Sequence, residues 1–267
     1  MSLPLAHVMR SRKVIIITIL VVAMIVGVTW LLVPEEPQYQ GKSLGHWLRS
    51  LDKTPLEFTG LAPETNQPAA QALLQIGSAA VPYLVRELRV RDTAWKATLR
   101  GWLGRESFLG IDLTPAYVRQ RRAIQACYAL GPTAKVAIPE LTERLSERRI
   151  SQTLRTFALA ATGPEALPSM IGALTNGDPE VRLYMSSAFR NVSFDAEAAV
   201  PALVTCLTDA QDYRIRCEAA MALAHIRKRP EVVVPALTQN LSDTNETVRS
   251  LTASALAQFR ATPPATP

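Results

Sequence analysis

Histidine and cysteine are scarce in this chain, three of each, and their positions exclude much chemistry. His7, His46 and His225 stand far apart, with no i, i+4 pair that would hold a metal on one helix. No metal and no cofactor is expected. His225 falls near a helix C-terminus, where a partly positive imidazole is favourable, and reads as a cap or surface residue. Cys127, Cys206 and Cys217 are an odd set, so at most one disulfide can form. A Cys206–Cys217 bridge and free thiols both remain open. Cys127 takes the place that Leu223 has in a later copy of the same helix, which makes it a core thiol by analogy.

Also missing are a glycine-rich phosphate loop, a nucleophile elbow and a His-Glu-x-x-His pattern. The twelve glycines sit mainly at helix ends, as in Ile76-Gly77, Leu130-Gly131 and Thr162-Gly163. Aromatic residues make up only 6%, which suits closely stacked faces of Ala, Leu and Val better than a ring-lined ligand cavity. Neither catalysis nor a small-molecule substrate is expected.

Charge is absent from residues 14–33, a run of twenty. At 1.5 Å per residue such a helix spans about 30 Å, the thickness of a bilayer's hydrocarbon core. Arg10, Arg12 and Lys13 precede the run and Glu35 and Glu36 follow it, so the positive-inside bias puts residues 1–13 in the cytoplasm and the rest beyond the inner membrane. A cleaved signal peptide is the rival. The length of the apolar run and the lack of a small-x-small motif near Trp30 favour an uncleaved anchor. Residues 34–68 then read as a linker with a short leader helix at about 43–51, and 261–267 as a disordered tail.

Between them one phrase recurs five times: Val81-Pro82-Tyr83-Leu84, Ile138-Pro139-Glu140-Leu141, Leu167-Pro168-Ser169-Met170, Val200-Pro201-Ala202-Leu203 and Val234-Pro235-Ala236-Leu237. Each copy has Leu six residues after the proline (Leu88, Leu145, Leu174, Leu207, Leu241), so positions −1, +2 and +6 form one helix stripe. Proline fits a helix's first turn, where its missing N–H has no partner to lose. Every copy therefore predicts a helix start. The prolines are 57, 29, 33 and 34 residues apart, the period of two-helix solenoid repeats, with the first interval enlarged by an insertion at about 91–116.

A second landmark keeps the same phase: Asp178-Pro-Glu-Val-Arg182, Asp212-Tyr-Arg-Ile-Arg216 and Asn245-Glu-Thr-Val-Arg249. Asp and Asn accept hydrogen bonds from unpaired N–H groups, so each predicts the N-cap of the other helix in the pair. The unit is helix A, turn, helix B. These starts, the Ala-rich ends of helix A (Ala219–Ala224, Ala253–Ala257) and the Val-Pro-x-Leu start of helix B closely resemble the HEAT-repeat family over about residues 66–260. Gly41–Arg49 resembles the leader helix of bacterial, membrane-anchored members, and the insertion also resembles a feature of that group. The resemblance implies an all-α fold, an α-α superhelix of about five helix pairs at residues 69–260, with helix B on the inner wall. The helix A of the 29-residue repeat is short, around Ser151–Ala161.

Between residues 86 and 155 there are 14 Lys and Arg against 7 Asp and Glu, a net of +7 beside a total of +6. A solvated helix face accounts for this, with arginine stems covering apolar neighbours; an acidic partner is the alternative. Nucleic acid is not expected beyond the membrane. In the insertion Trp95, Leu99, Trp102 and Leu103 recur at helical spacing. The expected role is to cap the apolar end of the first repeats, with anionic lipid or a partner protein as alternatives.

Function follows as a membrane-anchored scaffold for a protein partner. Its candidate partner-binding residues are those of helix B that miss the core stripe, Arg86, Arg89, Glu140, Arg144, Thr205 and Gln239, together with Trp95 and Trp102. The resemblance also admits an enzyme, since HEAT-like repeats occur in bilin lyases and in some DNA glycosylases. A purely structural envelope component is the third option.

Overall fold

The computed structural model describes residues 36–52, 67–104, 107–108, 111–148, 150–208 and 211–261. The uncharged run at 14–33, and with it the anchor, lies outside these residues, as do the loop at 53–66 and residues 262–267. Among the described residues no helix is long and apolar enough to cross a membrane. All packing described below belongs to the unit that starts at Pro37.

A leader helix α1 (Leu44–Ser50) precedes α2 (Pro68–Ile76), α3 (Val81–Arg89), the insertion helix α4 (Ala94–Leu103), α5 (Ala116–Leu130), α6 (Ile138–Glu143), α7 (Gln152–Ala161), α8 (Leu167–Asn176), α9 (Pro179–Phe189), α10 (Val200–Leu207), α11 (Tyr213–Ile226), α12 (Pro230–Asn240) and α13 (Glu246–Ala261). Helices α2, α5, α7, α9, α11 and α13 are the A helices and stack each on the next; α3, α6, α8, α10 and α12 are the B helices, with α3 on α6, α8 on α10 and α10 on α12. The expected five pairs are present, followed by a sixth helix A.

The local signals act as expected. Asp178 Oδ1 accepts from Val181 N at 2.9 Å, Asp212 Oδ1 from Arg214 N at 2.9 Å and Asn245 Oδ1 from Thr247 N at 2.9 Å, so all three are N-caps. Ser151 caps the short α7 in the same way. Gly77 and Gly131 end α2 and α5 with φ of 59° and 54°, a conformation a Cβ would strain. Arg227 takes that place after α11 with φ 53°.

The proline phrase does what the sequence predicts in four copies out of five. Pro82, Pro139, Pro168 and Pro201 each lie in the first turn of their helix, and a 3-10 turn leads in (Gly77–Ala80, Gly131–Ala137, Pro164–Ala166, Glu197–Ala199). In the fifth copy the helix starts earlier, at Pro230, and Pro235 is inside it. Arg229 at φ 52° turns the chain so that Pro230 opens the helix directly, and the lead-in winds as α-helix. The +2 residues Leu84, Leu141, Met170, Leu203 and Leu237 are buried without exception, each contributing about 2 kcal/mol of apolar burial. At +6 the stripe holds for four; Leu241 is 40% exposed, with no further helix B to cover it among the described residues.

Two other expectations change, and the open question of the cysteines is answered. The chain is not helical throughout: the expected linker contains the antiparallel pair β1 (Gln38–Tyr39) and β2 (Lys42–Ser43), and the insertion contains β3 (Ser107–Phe108) and β4 (Ile111–Asp112). The first pair is held by Trp47 of α1, whose Nε1 donates to Tyr39 O and whose ring lies 5.0 Å from Lys42 Nζ. The tryptophans of α4 do not cap the repeats. No residue of α4 is buried, and Trp95 and Trp102 are 52% and 85% exposed. Hydrogen bonds hold this helix instead: Arg100 Nη1 donates to Leu113 O at 2.8 Å and Lys96 Nζ to Asp112 O at 3.4 Å. Finally, all three cysteines are buried free thiols. Cys206 donates to Leu174 O, and burial pushes the Cys127 thiol up to about 12.

Candidate protein-interaction surface

The eight candidate residues separate into four groups. Arg86 and Arg89 are exposed on α3; the Arg86 guanidinium stacks 4.6 Å from the centre of the Tyr83 ring, a cation–π contact. Glu140 is not solvent-facing as predicted. It is 7% exposed, and the Arg89 side chain donates to its carboxylate from Nε and Nη2. Arg144 is also misplaced: α6 ends at Glu143, so Arg144 leaves the helix face, becomes buried and donates to Glu147.

Thr205 and Gln239 are exposed on the neighbouring helices α10 and α12. Gln239 borders a shallow cavity of about 400 Å³ with Arg216 and Asp243. Trp95 and Trp102 form a separate surface on α4. The structure thus pairs Arg89 with Glu140, places Trp95 and Trp102 on one helix, and does not assemble all eight into one site.

The positive excess counted along the chain is offset in part by internal pairing. Arg119 makes two 2.6 Å bonds to buried Glu87, joining α5 to α3. Arg121 and Arg122 both bind Asp52, and Lys135 binds Glu165; these two acids lie outside the counted window. Burial alone would raise the Asp52 carboxyl, but the hydrogen bonds from Arg122 and Arg121 outweigh it and hold it below the usual carboxylate range.

What the sequence reading missed is a change of character along the B row. Helices α3 and α6 carry Arg86, Arg89, Glu140 and Glu143, whereas α8 (LPSMIGALTN) and α10 (VPALVTCL) carry no charge at all. Along α8, α10 and α12 the exposed residues include Pro168, Thr175, Pro201, Thr205, Pro235 and Thr238. The three threonine hydroxyls donate to Ile171 O, Pro201 O and Val234 O, four residues back in their own helices. Those donors are committed, which lowers the cost of covering this ridge with an apolar group. A helix-by-helix count of charge in the B phrases carries the signal.

One buried group stands out. Arg155 of α7 is fully buried, yet its Nε, Nη1 and Nη2 have no hydrogen-bond partner among the described residues. Burial pushes its guanidinium below the ordinary value, against the pull of Glu147, Glu180 and Asp178. Among the described residues no three His, Cys, Asp or Glu side chains are grouped so as to hold a metal.

Comparison with known proteins gives one family match: residues 167–257 match HEAT repeats. That segment runs from the start of α8 into α13. No curated protein matches the chain. Among solved structures, human deoxyhypusine hydroxylase in complex with glycerol is similar at 19% identity and a TM-score of 0.42, over 81% of this chain and 84% of that one. A designed armadillo repeat protein in complex with a (KR)4 peptide is similar at 19% identity and a TM-score of 0.44, over 85% of this chain and 100% of that one.

Proposed function

We propose that this chain is a membrane-anchored, non-catalytic interaction scaffold in which the exposed face of the B helices holds a protein segment. The observation that carries this reading is the ridge across α8 and α10, which carry no charge, and α12, whose one charged residue is Glu231 in its first turn; the ridge lies within the residues matching HEAT repeats. Contiguous surface with little charge and few free donors loses little solvation when covered. The partner segment is accordingly uncharged along this ridge, and acidic or mixed in charge where it meets Arg86 and Arg89 on α3. The anchor is residues 14–33 in the inner membrane, with residues 1–13 cytoplasmic and the repeats outside.

The test is photo-crosslinking in native membranes from positions 205 and 239, with and without the additional substitution Thr238→Arg. One discrete partner is expected, lost when the arginine interrupts the ridge and competed off by excess of the repeat-bearing protein. Recovery of the same crosslinks from both proteins would end the ridge reading. Crosslinks that cannot be competed would favour a structural envelope component. Extraction at alkaline pH tests the anchor separately: the full chain remains with the membrane pellet.

A further inference from the structure

The insertion helix α4 is the part of the molecule least explained by the solenoid. It has no buried residue, yet carries two tryptophans. Its orientation is fixed, because Lys96 and Arg100 bind the carbonyls of Asp112 and Leu113 and Arg100 lies 3.7 Å from Asp92. On a 100° helical wheel, Trp95, Leu99 and Trp102 fall within one narrow stripe, away from Arg100. Lys96 Nζ lies 5.7 Å from the centre of the Trp95 ring, and Trp102 stands open to solvent. Exposed tryptophan at this density marks a contact surface, and tryptophan in particular favours the polar–apolar boundary of a bilayer.

Chain length indicates which contact. Residues 34–36 are all that separate the uncharged run ending at 33 from Pro37, whose carbonyl already accepts from Leu44 N inside the folded unit at 2.8 Å. Three extended residues reach about 10 Å. In an anchored chain Pro37 is therefore tethered within about that reach of the end of the run, and α4 follows directly on the first helix pair, α2 and α3. Charge agrees at Arg86, exposed on α3 just before α4 in the chain, while Arg89 and Arg91, also exposed, are shared with Glu140 and Glu143.

We infer that the Trp95–Leu99–Trp102 face of α4 rests in the interfacial region of an anionic bilayer, giving the solenoid a second membrane contact that fixes how its ridge is presented. The inference rests on the anchor reading, and the four tryptophans of the chain allow the two to be tested apart. The full-length protein is reconstituted into phosphatidylcholine–phosphatidylglycerol vesicles containing dibrominated acyl chains, which quench nearby indoles. The W95F/W102F variant retains Trp30, inside the run at 14–33, and buried Trp47; quenching of Trp30 reports the anchor. The W30F variant retains Trp47, Trp95 and Trp102 and reports α4, while W30F/W95F/W102F leaves Trp47 as an unquenched reference. Circular dichroism confirms that each variant is folded.

Quenching of two of the three remaining emitters in W30F, abolished in the triple variant, is the expected result. Quenching of Trp30 without quenching in W30F overturns the α4 contact and leaves the anchor standing. If neither is quenched, the anchor reading fails and the inference fails with it. Loss of a crosslinked protein on W95S/W102S, without lipid quenching, assigns the face to a protein and overturns the inference as well.

Discussion

Arg155 illustrates what a single side chain decides. A buried guanidinium with no acceptor among the described residues carries a large desolvation cost with little in return, and replacing such a group by an apolar one of similar volume is often neutral or stabilising by about 1–4 kcal/mol. Arg155→Met is expected to raise the urea midpoint at unchanged m-value, by roughly 1–3 kcal/mol in stability. A fall of more than about 2 kcal/mol would show that the guanidinium has acceptors after all. Arg216 and Asp243 are the contrasting case. Both are nearly buried, and they form a two-point ion pair at 2.7 and 3.0 Å that ties α11 to the turn after α12. Asp243→Ala removes this two-point pair from a buried guanidinium, and is expected to cost about 3–5 kcal/mol, measured by the same denaturation.

At the scale of elements, the insertion helix and the last B helix depart furthest from expectation, for related reasons. Helical spacing of Trp95, Leu99, Trp102 and Leu103 correctly indicates one helix (Ala94–Leu103) but not what that helix faces. Periodicity reports which residues share a side, and burial depends on whether another element arrives there. With both tryptophans in solvent, W95S/W102S should remain folded, with its stability within about 0.5 kcal/mol of the parent. Loss of the thermal transition would restore the capping role. The start of α12 shows a similar limit: Val234-Pro235 looks like the other four helix starts, and only the left-handed turn at Arg227 and Arg229 moves the start back to Pro230.

For the whole molecule, stability depends on ion pairs that bridge repeats as well as on the apolar stripe. Asp243 is held below the usual carboxylate range chiefly by the hydrogen bond from Arg216, against a burial penalty, and Asp52 is lowered by Arg122 and Arg121. A depressed folded-state pKa means that the unfolded chain binds the proton more tightly. This stabilisation is complete above the unfolded value of about 4 and is lost as pH falls through the lower, folded values. The urea midpoint should therefore be insensitive to these groups between pH 5 and 8 and fall below about pH 4. Asp243→Asn should reduce that fall while lowering the plateau. An unchanged acid limb would show that other carboxylates govern it.

The sequence by itself determined the repeat: proline removes a donor wherever it stands, Asp and Asn cap wherever a helix begins, and a 3-then-4 apolar spacing defines one stripe. Those rules are local, and the caps at Asp178, Asp212 and Asn245 and the buried Leu84 and Leu203 follow from them. Tertiary structure alone decided exposure and pairing. Glu140 lies under Arg89 from a helix 51 residues earlier, and Asp52 binds arginines about 70 residues away, so no window of sequence reveals which charges remain for a partner. The ridge of α8, α10 and α12 lies between these cases. Its low charge is written in the helices, with none in α8 and α10 and only Glu231 in α12, but its continuity exists only because stacking sets three separate helices side by side.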